Sequence, residues 1–154
     1  MIYTAEGLIN RVIAIRVSPG EEVLSAIESA CKKHNINNGI ILSAIGSFDG
    51  ARFFTPVPLD TKAGAGYSDP IELTGPIELL NATGMVTHKE NGDQDFHIHC
   101  TFSDGKGNAM GGHLIPGNMV LLTLDMVIGE ISGIDMVREY DEDLEVPIFA
   151  PKQL

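Results

Sequence analysis

Three of the chain's five histidines, His97, His99 and His113, fall within one short stretch, "HIHCTFSDGKGNAMGGHL". Three neutral imidazoles around one divalent ion leave a fourth position open for water or substrate. An ion held this way polarises bound oxygen and brings the pKa of its water down to about 7. Whether the backbone can gather the rings depends on strand geometry. His97 and His99 are one residue apart, which puts both side chains on the same face of a β-strand. Phe96, Ile98, Cys100 and Phe102 are apolar, whereas the alternate positions His97, His99 and Thr101 are polar. The segment reads as a half-buried strand with its histidines toward solvent. Cys100 then points into the core as a small hydrophobe and cannot be a ligand.

His113 joins the pair only if the loop is odd-numbered or a bulge falls at Gly111-Gly112. A three-residue loop, Gly105-Lys106-Gly107, with Gly107 left-handed, pairs the two strands symmetrically about Lys106 and sets His99 opposite His113. Opposed residues share a face, with Cβ atoms ~4.5–5.5 Å apart. A two-residue turn would instead oppose His113 to Ile98 and bury it. Gly111 and Gly112 are expected to permit the register and to leave open space above the sheet. Zinc is the expected ion, although imidazole also suits iron, nickel and copper. Glu78 is the candidate acid–base group, and either Glu78 or Glu72 could supply a fourth ligand or an orienting partner. Both also read as plain exposed carboxylates. His34 and His88 read as ordinary structural histidines.

The elements that must position these groups are mostly strands. "GLINRVIAIRV" is a first strand, rich in β-branched residues. "SPGEEVLSAIESACKKHNI" carries the clearest helix signal, with Ser18 as N-cap, Pro19 at the first helical position and Glu21 completing a capping box. Leu24, Ile27 and Cys31 form its apolar stripe. "GIILSAIGSF" and "ARFFTPV" read as two strands joined by a turn at Asp49-Gly50. Pro58 to Pro70 reads as a plain flexible loop, its glycines followed by no phosphate-binding motif. Further strands follow from Pro76 onward. One helix among seven or eight strands indicates an α+β domain, a largely antiparallel β-sheet with one main α-helix packed on it. Residues 1–140 read as a single domain and 141–154 as an acidic, proline-containing tail.

The bulk properties narrow the function classes. The formal charge of −11, with ten basic residues scattered along the chain, offers no basic patch for phosphates and disfavours direct DNA binding. No segment has the ~18 consecutive apolar residues of a membrane span. The N-terminus lacks a secretory pattern, and two cysteines without a CxxC motif fit a reducing cytoplasm.

"LSAIGSFDGARFF", "GPIELLNATGMV", "HIHCTFSDGKGNAMGGHL" and "PGNMVLLTLDMVI" follow one another in the order and spacing of the plant and prokaryote conserved (PPC) domain. The resemblance covers about Val12 to Val137, and its most specific part is the His-x-His strand followed by Gly-Gly-His-Leu. It implies an antiparallel sheet beside one main helix, assembly as a homotrimer, a metal at His97, His99 and His113, and a DNA-binding or regulatory label. In plants such domains accompany an AT-hook, Arg-Gly-Arg-Pro, and act as assembly modules that recruit protein partners; this chain has no such segment. Two functions follow. One is a regulatory assembly module that reaches DNA through partners. The other is a metal-dependent hydrolase or lyase acting on a small polar substrate. A cupin also uses His-x-His on a strand, but it wants a glutamate where this chain has Phe102 and Ser103.

Overall fold

The computed structural model describes residues 2–154. In chain order the elements are β1 (Leu8–Val17), α1 (Val23–His34), β2 (Gly39–Phe54), β3 (Pro56–Pro58), β4 (Ala65–Tyr67), β5 (Ile71–Lys89), β6 (Gln94–Ser103), β7 (Ala109–Leu114), β8 (Val120–Ser132), β9 (Ile134–Asp141) and β10 (Val146–Gln153). Strands account for 64% of the chain and helix for 8%. The α+β expectation, a sheet with one main helix packed on it, is therefore overturned in favour of a mainly β protein built on an eight-stranded sheet. The helix carried the sharpest local periodicity but spans only 12 residues, whereas β2 and β5 run for 16 and 19. Strong local signal and large structural share are different properties.

The sheet order is β1-β8-β2-β7-β6-β5-β9-β10, and β2 also pairs with β5. That extra pairing closes β2, β7, β6 and β5 into a ring. β2 can serve three neighbours because it is long and bulged. Its first half lies between β8 and β5, and Phe53 and Phe54 then pair with Leu114 and His113 of β7. Asp49-Gly50, expected to be a turn, is instead a bulge inside this continuous strand. A turn there would have broken the pairing that β5 maintains on both sides of it.

Aromatic rings fill the ring's interior. Phe102 packs against Phe48 and Phe53 with ring centroids 5.8 and 5.6 Å apart, and all three are at most 2% exposed. Burying an aromatic side chain of this size contributes about 1.5–3 kcal/mol. Ile77, Leu79 and Ile98 are buried in the same hydrophobic cluster.

Helix α1 starts later than its sequence suggests. Gly20 adopts φ +80°, so Ser18 to Glu21 form a turn rather than a first helical turn. Glu22 is the N-cap, its carboxylate accepting from the Ser25 N–H at 2.8 Å. Asn35, left-handed at φ 54°, ends the helix. At the other terminus, residues 146–153 within the acidic segment pair with β9 along their whole length.

Candidate metal centre

On β6 the alternation sorts the side chains. Ile98, Cys100 and Phe102 are buried, while His99 and Thr101 are exposed and His97 is partly covered. Cys100 lies in the core, and burial pushes its thiol up to about 12, so it stays protonated. The β6–β7 register is symmetric about Lys106 and places His99 opposite His113. The turn is built as the odd loop requires. Gly107 has φ +82°, and the Asp104 carboxylate accepts the backbone N–H groups of Lys106 and Asn108 at 2.9 Å each.

His97, His99 and His113 offer nitrogen atoms that all lie within 4.8 Å of one another. His97 Nε2 and His99 Nε2 are 3.1 Å apart. Two nitrogens bound tetrahedrally at ~2.0–2.1 Å from one zinc ion stand ~3.3–3.4 Å apart, so the pair needs little movement to share an ion. Metal ligation also requires neutral rings. Burial, then the neighbouring imidazoles of His97 and His99, hold His113 down at about 4. Burial likewise lowers His97, with Arg138 next in importance. Both are therefore deprotonated at neutral pH.

Gly111 and Gly112 play a different part from the one expected. They do not leave open space; they let strands come close. A Cβ on Gly111 would sit 2.1 Å from the Cys100 carbonyl oxygen, and one on Gly112 would sit 2.2 Å from that of Phe54. Sequence could mark these glycines as special but not say which backbone they touch.

The carboxylate candidates stand apart from the trio. Glu78 pairs with Ser103, four residues along β6 from His99, or roughly 13 Å at strand spacing. Glu72 is held by Arg52, Nε to Oε1 at 2.9 Å. Neither belongs to the histidine group.

The sequence pattern of the Plants and Prokaryotes Conserved (PCC) domain matches residues 4–132. The chain belongs to this family. A plant- and prokaryote-conserved protein of Pyrococcus horikoshii is 26% identical, with a TM-score of 0.83 over 99% of this chain and 100% of that one. A metal-containing protein of Archaeoglobus fulgidus shares the fold at 24% identity and TM-score 0.82, over 96% of this chain and 99% of that one. So does a Bacteroides thetaiotaomicron protein provisionally named DNA-binding, at 22% identity and TM-score 0.77, over 96% of both chains. Among curated relatives, the bifunctional protein GlmU of two Synechococcus strains is 26% and 25% identical over 78% and 85% of this chain. This chain spans only 17% and 18% of their length.

In this PCC domain two features beside the histidines were not legible in the sequence. Arg138 of β9 reaches Asp95, two residues before His97, in a 3.0 Å ion pair. Tyr67, expected in a plain flexible loop, lies on β4 with its ring 5.0 Å from that of His113. The hairpin of β3 and β4 has three residues on each side, too short for a periodic signal.

Proposed function

We propose that this PCC-domain protein is a homotrimeric assembly module that holds one divalent ion per chain, zinc foremost, on His97, His99 and His113. The observation that carries the metal reading is the convergence of three imidazole nitrogens within 4.8 Å. Their spacing and the lowered pKa values of His97 and His113 fit a zinc ion, and the Archaeoglobus protein of the same fold is a metal-containing one.

Support for assembly comes from an apolar outer face. Ile9, Val12, Leu42 and Ile45 are 52%, 56%, 45% and 54% exposed, and Ile9, Ile40 and Leu42 meet over Gly129. Contiguous exposed apolar surface of this kind marks association sites. The patch runs on through Ile40, Thr83 and Met85 to His97 and His99. With a net charge of −11, the module has no direct DNA contact of its own and works through protein partners. A cytoplasmic location fits its two free, buried cysteines. No helix among the described residues is long and apolar enough to cross a membrane.

A second reading is a metal-dependent hydrolase or lyase for a small polar substrate. It is favoured by the exposure of His99 and by a ligand set of only three residues, which leaves room for water on the ion. Turnover abolished by chelation and restored by zinc would select it.

Elemental analysis of untagged protein tests the metal reading. The wild type should carry close to one ion per chain, and His99→Ala should lose most of it while keeping its circular dichroism spectrum. Equal metal content in the two proteins refutes the site.

A further inference from the structure

We propose that Tyr67 is the positioning residue of this centre: its phenol oxygen accepts the Nδ1–H of His113, which fixes the tautomer and presents Nε2 to the ion. The inference rests on the metal reading above and adds to it a residue from a separate hairpin. Among the described residues, the side-chain hydrogen bonds of the trio are two. His97 and His99 meet each other, and His113 meets Tyr67, with Oη 3.4 Å from Nδ1. His113 is thus the one imidazole of the three with a side-chain partner from outside the group.

The placement of Tyr67 is built by packing. Phe54 lies directly opposite His113 across the β2–β7 pairing. The Tyr67 ring stacks on Phe54 at 5.4 Å and 24°, and it tilts against His113 at 5.0 Å and 37°. The base of the β3–β4 hairpin is tied to the end of β2 by two bonds. The Ser68 N–H donates to the Thr55 carbonyl at 2.9 Å, and the Thr55 N–H donates to Ser68 Oγ at 3.2 Å. An excursion of more than ten residues therefore returns one phenol to the far side of one imidazole. A histidine ligand whose other ring nitrogen donates to an oxygen is held in orientation and made more basic, and loss of such a partner typically costs 10–100-fold in metal affinity.

Zinc affinity measured by competition with a chromophoric chelator tests this on wild type, Tyr67→Phe and His99→Ala. Tyr67→Phe keeps the stack on Phe54 and removes only the hydroxyl, so its thermal unfolding should match wild type while zinc binds about 10-fold more weakly or worse. Long-range proton–nitrogen NMR of the zinc-loaded protein should show His113 protonated at Nδ1 in wild type, with that proton exchanging faster in Tyr67→Phe. A role in packing alone would not move this signal. Equal zinc affinity in wild type and Tyr67→Phe overturns the inference and leaves the metal site standing. A tyrosinate-to-metal charge-transfer band in the copper-loaded wild type, lost in Tyr67→Phe, overturns it by making Tyr67 a ligand. If wild type binds zinc no better than His99→Ala, the metal reading itself falls.

Discussion

Replacing Gly112 by alanine places a methyl carbon 2.2 Å from the Phe54 carbonyl oxygen and 2.8 Å from a ring carbon of Phe53. Ordinary contact begins near 3.4 Å, so the two backbones must separate by more than an ångström. Neither group can yield easily. Phe53 is 2% exposed and packed on Phe102, and the Phe54 carbonyl belongs to the short β2–β7 pairing that closes the strand ring. Overpacking against rigid neighbours costs about 2–3 kcal/mol. For a chain of this length that lowers the melting temperature by roughly 5–10 °C, read by differential scanning calorimetry at one fixed protein concentration. Gly105→Ala is the matched control. Nothing lies within 4 Å of its new Cβ, and Gly105 is not among the glycines at positive φ, so its effect should stay within about 0.5 kcal/mol. Because residue 113 follows directly, Gly112→Ala should also weaken zinc binding, whereas Gly105→Ala should not. Equal melting temperatures for Gly112→Ala and wild type would refute the close-approach reasoning.

Two further outcomes can be checked. Burial alone would lower the pKa of His88, but the Lys89 carbonyl and the Asp135 carboxylate, 2.6 Å away, outweigh it and raise the value. That contribution is fully present below the unfolded value of about 6.5 and is lost as pH rises through the folded one. Asp135→Asn should therefore cost about 1 kcal/mol near pH 5.5 and much less near pH 9 in urea unfolding, and a cost independent of pH would contradict the assignment. Ile45→Glu places a charge on the apolar outer face; sedimentation equilibrium should show wild type at three times the chain mass and the variant as monomer, and an unchanged variant would move the assembly surface elsewhere.

Much of the centre was legible locally because strand faces alternate with a period of two. Four apolar residues from Phe96 to Phe102 decide which way His97 and His99 point, whatever surrounds them. The glycines permit the register that sets His99 opposite His113, and the strand pairing adopts it. The carboxylates were harder, because an exposed glutamate on the same strand face carries no mark of distance. Glu78 stands four residues up the β6 ladder from His99, and Glu72 is engaged by Arg52.

Fold class misled because a short amphipathic helix has a sharper period than long, bulged strands. The closure of β2 onto β7 joins residues about sixty positions apart and leaves no periodic trace in either strand. Tyr67 was hidden for the same reason. The types and order of the three histidines and the common face of His97 and His99 were written in neighbouring residues, where side-chain alternation acts over two or three positions. The partners of that face, Tyr67, Phe54 and the Asp95–Arg138 pair, were chosen only when strands distant in the chain came into register, since packing against a neighbouring element depends on the whole sheet.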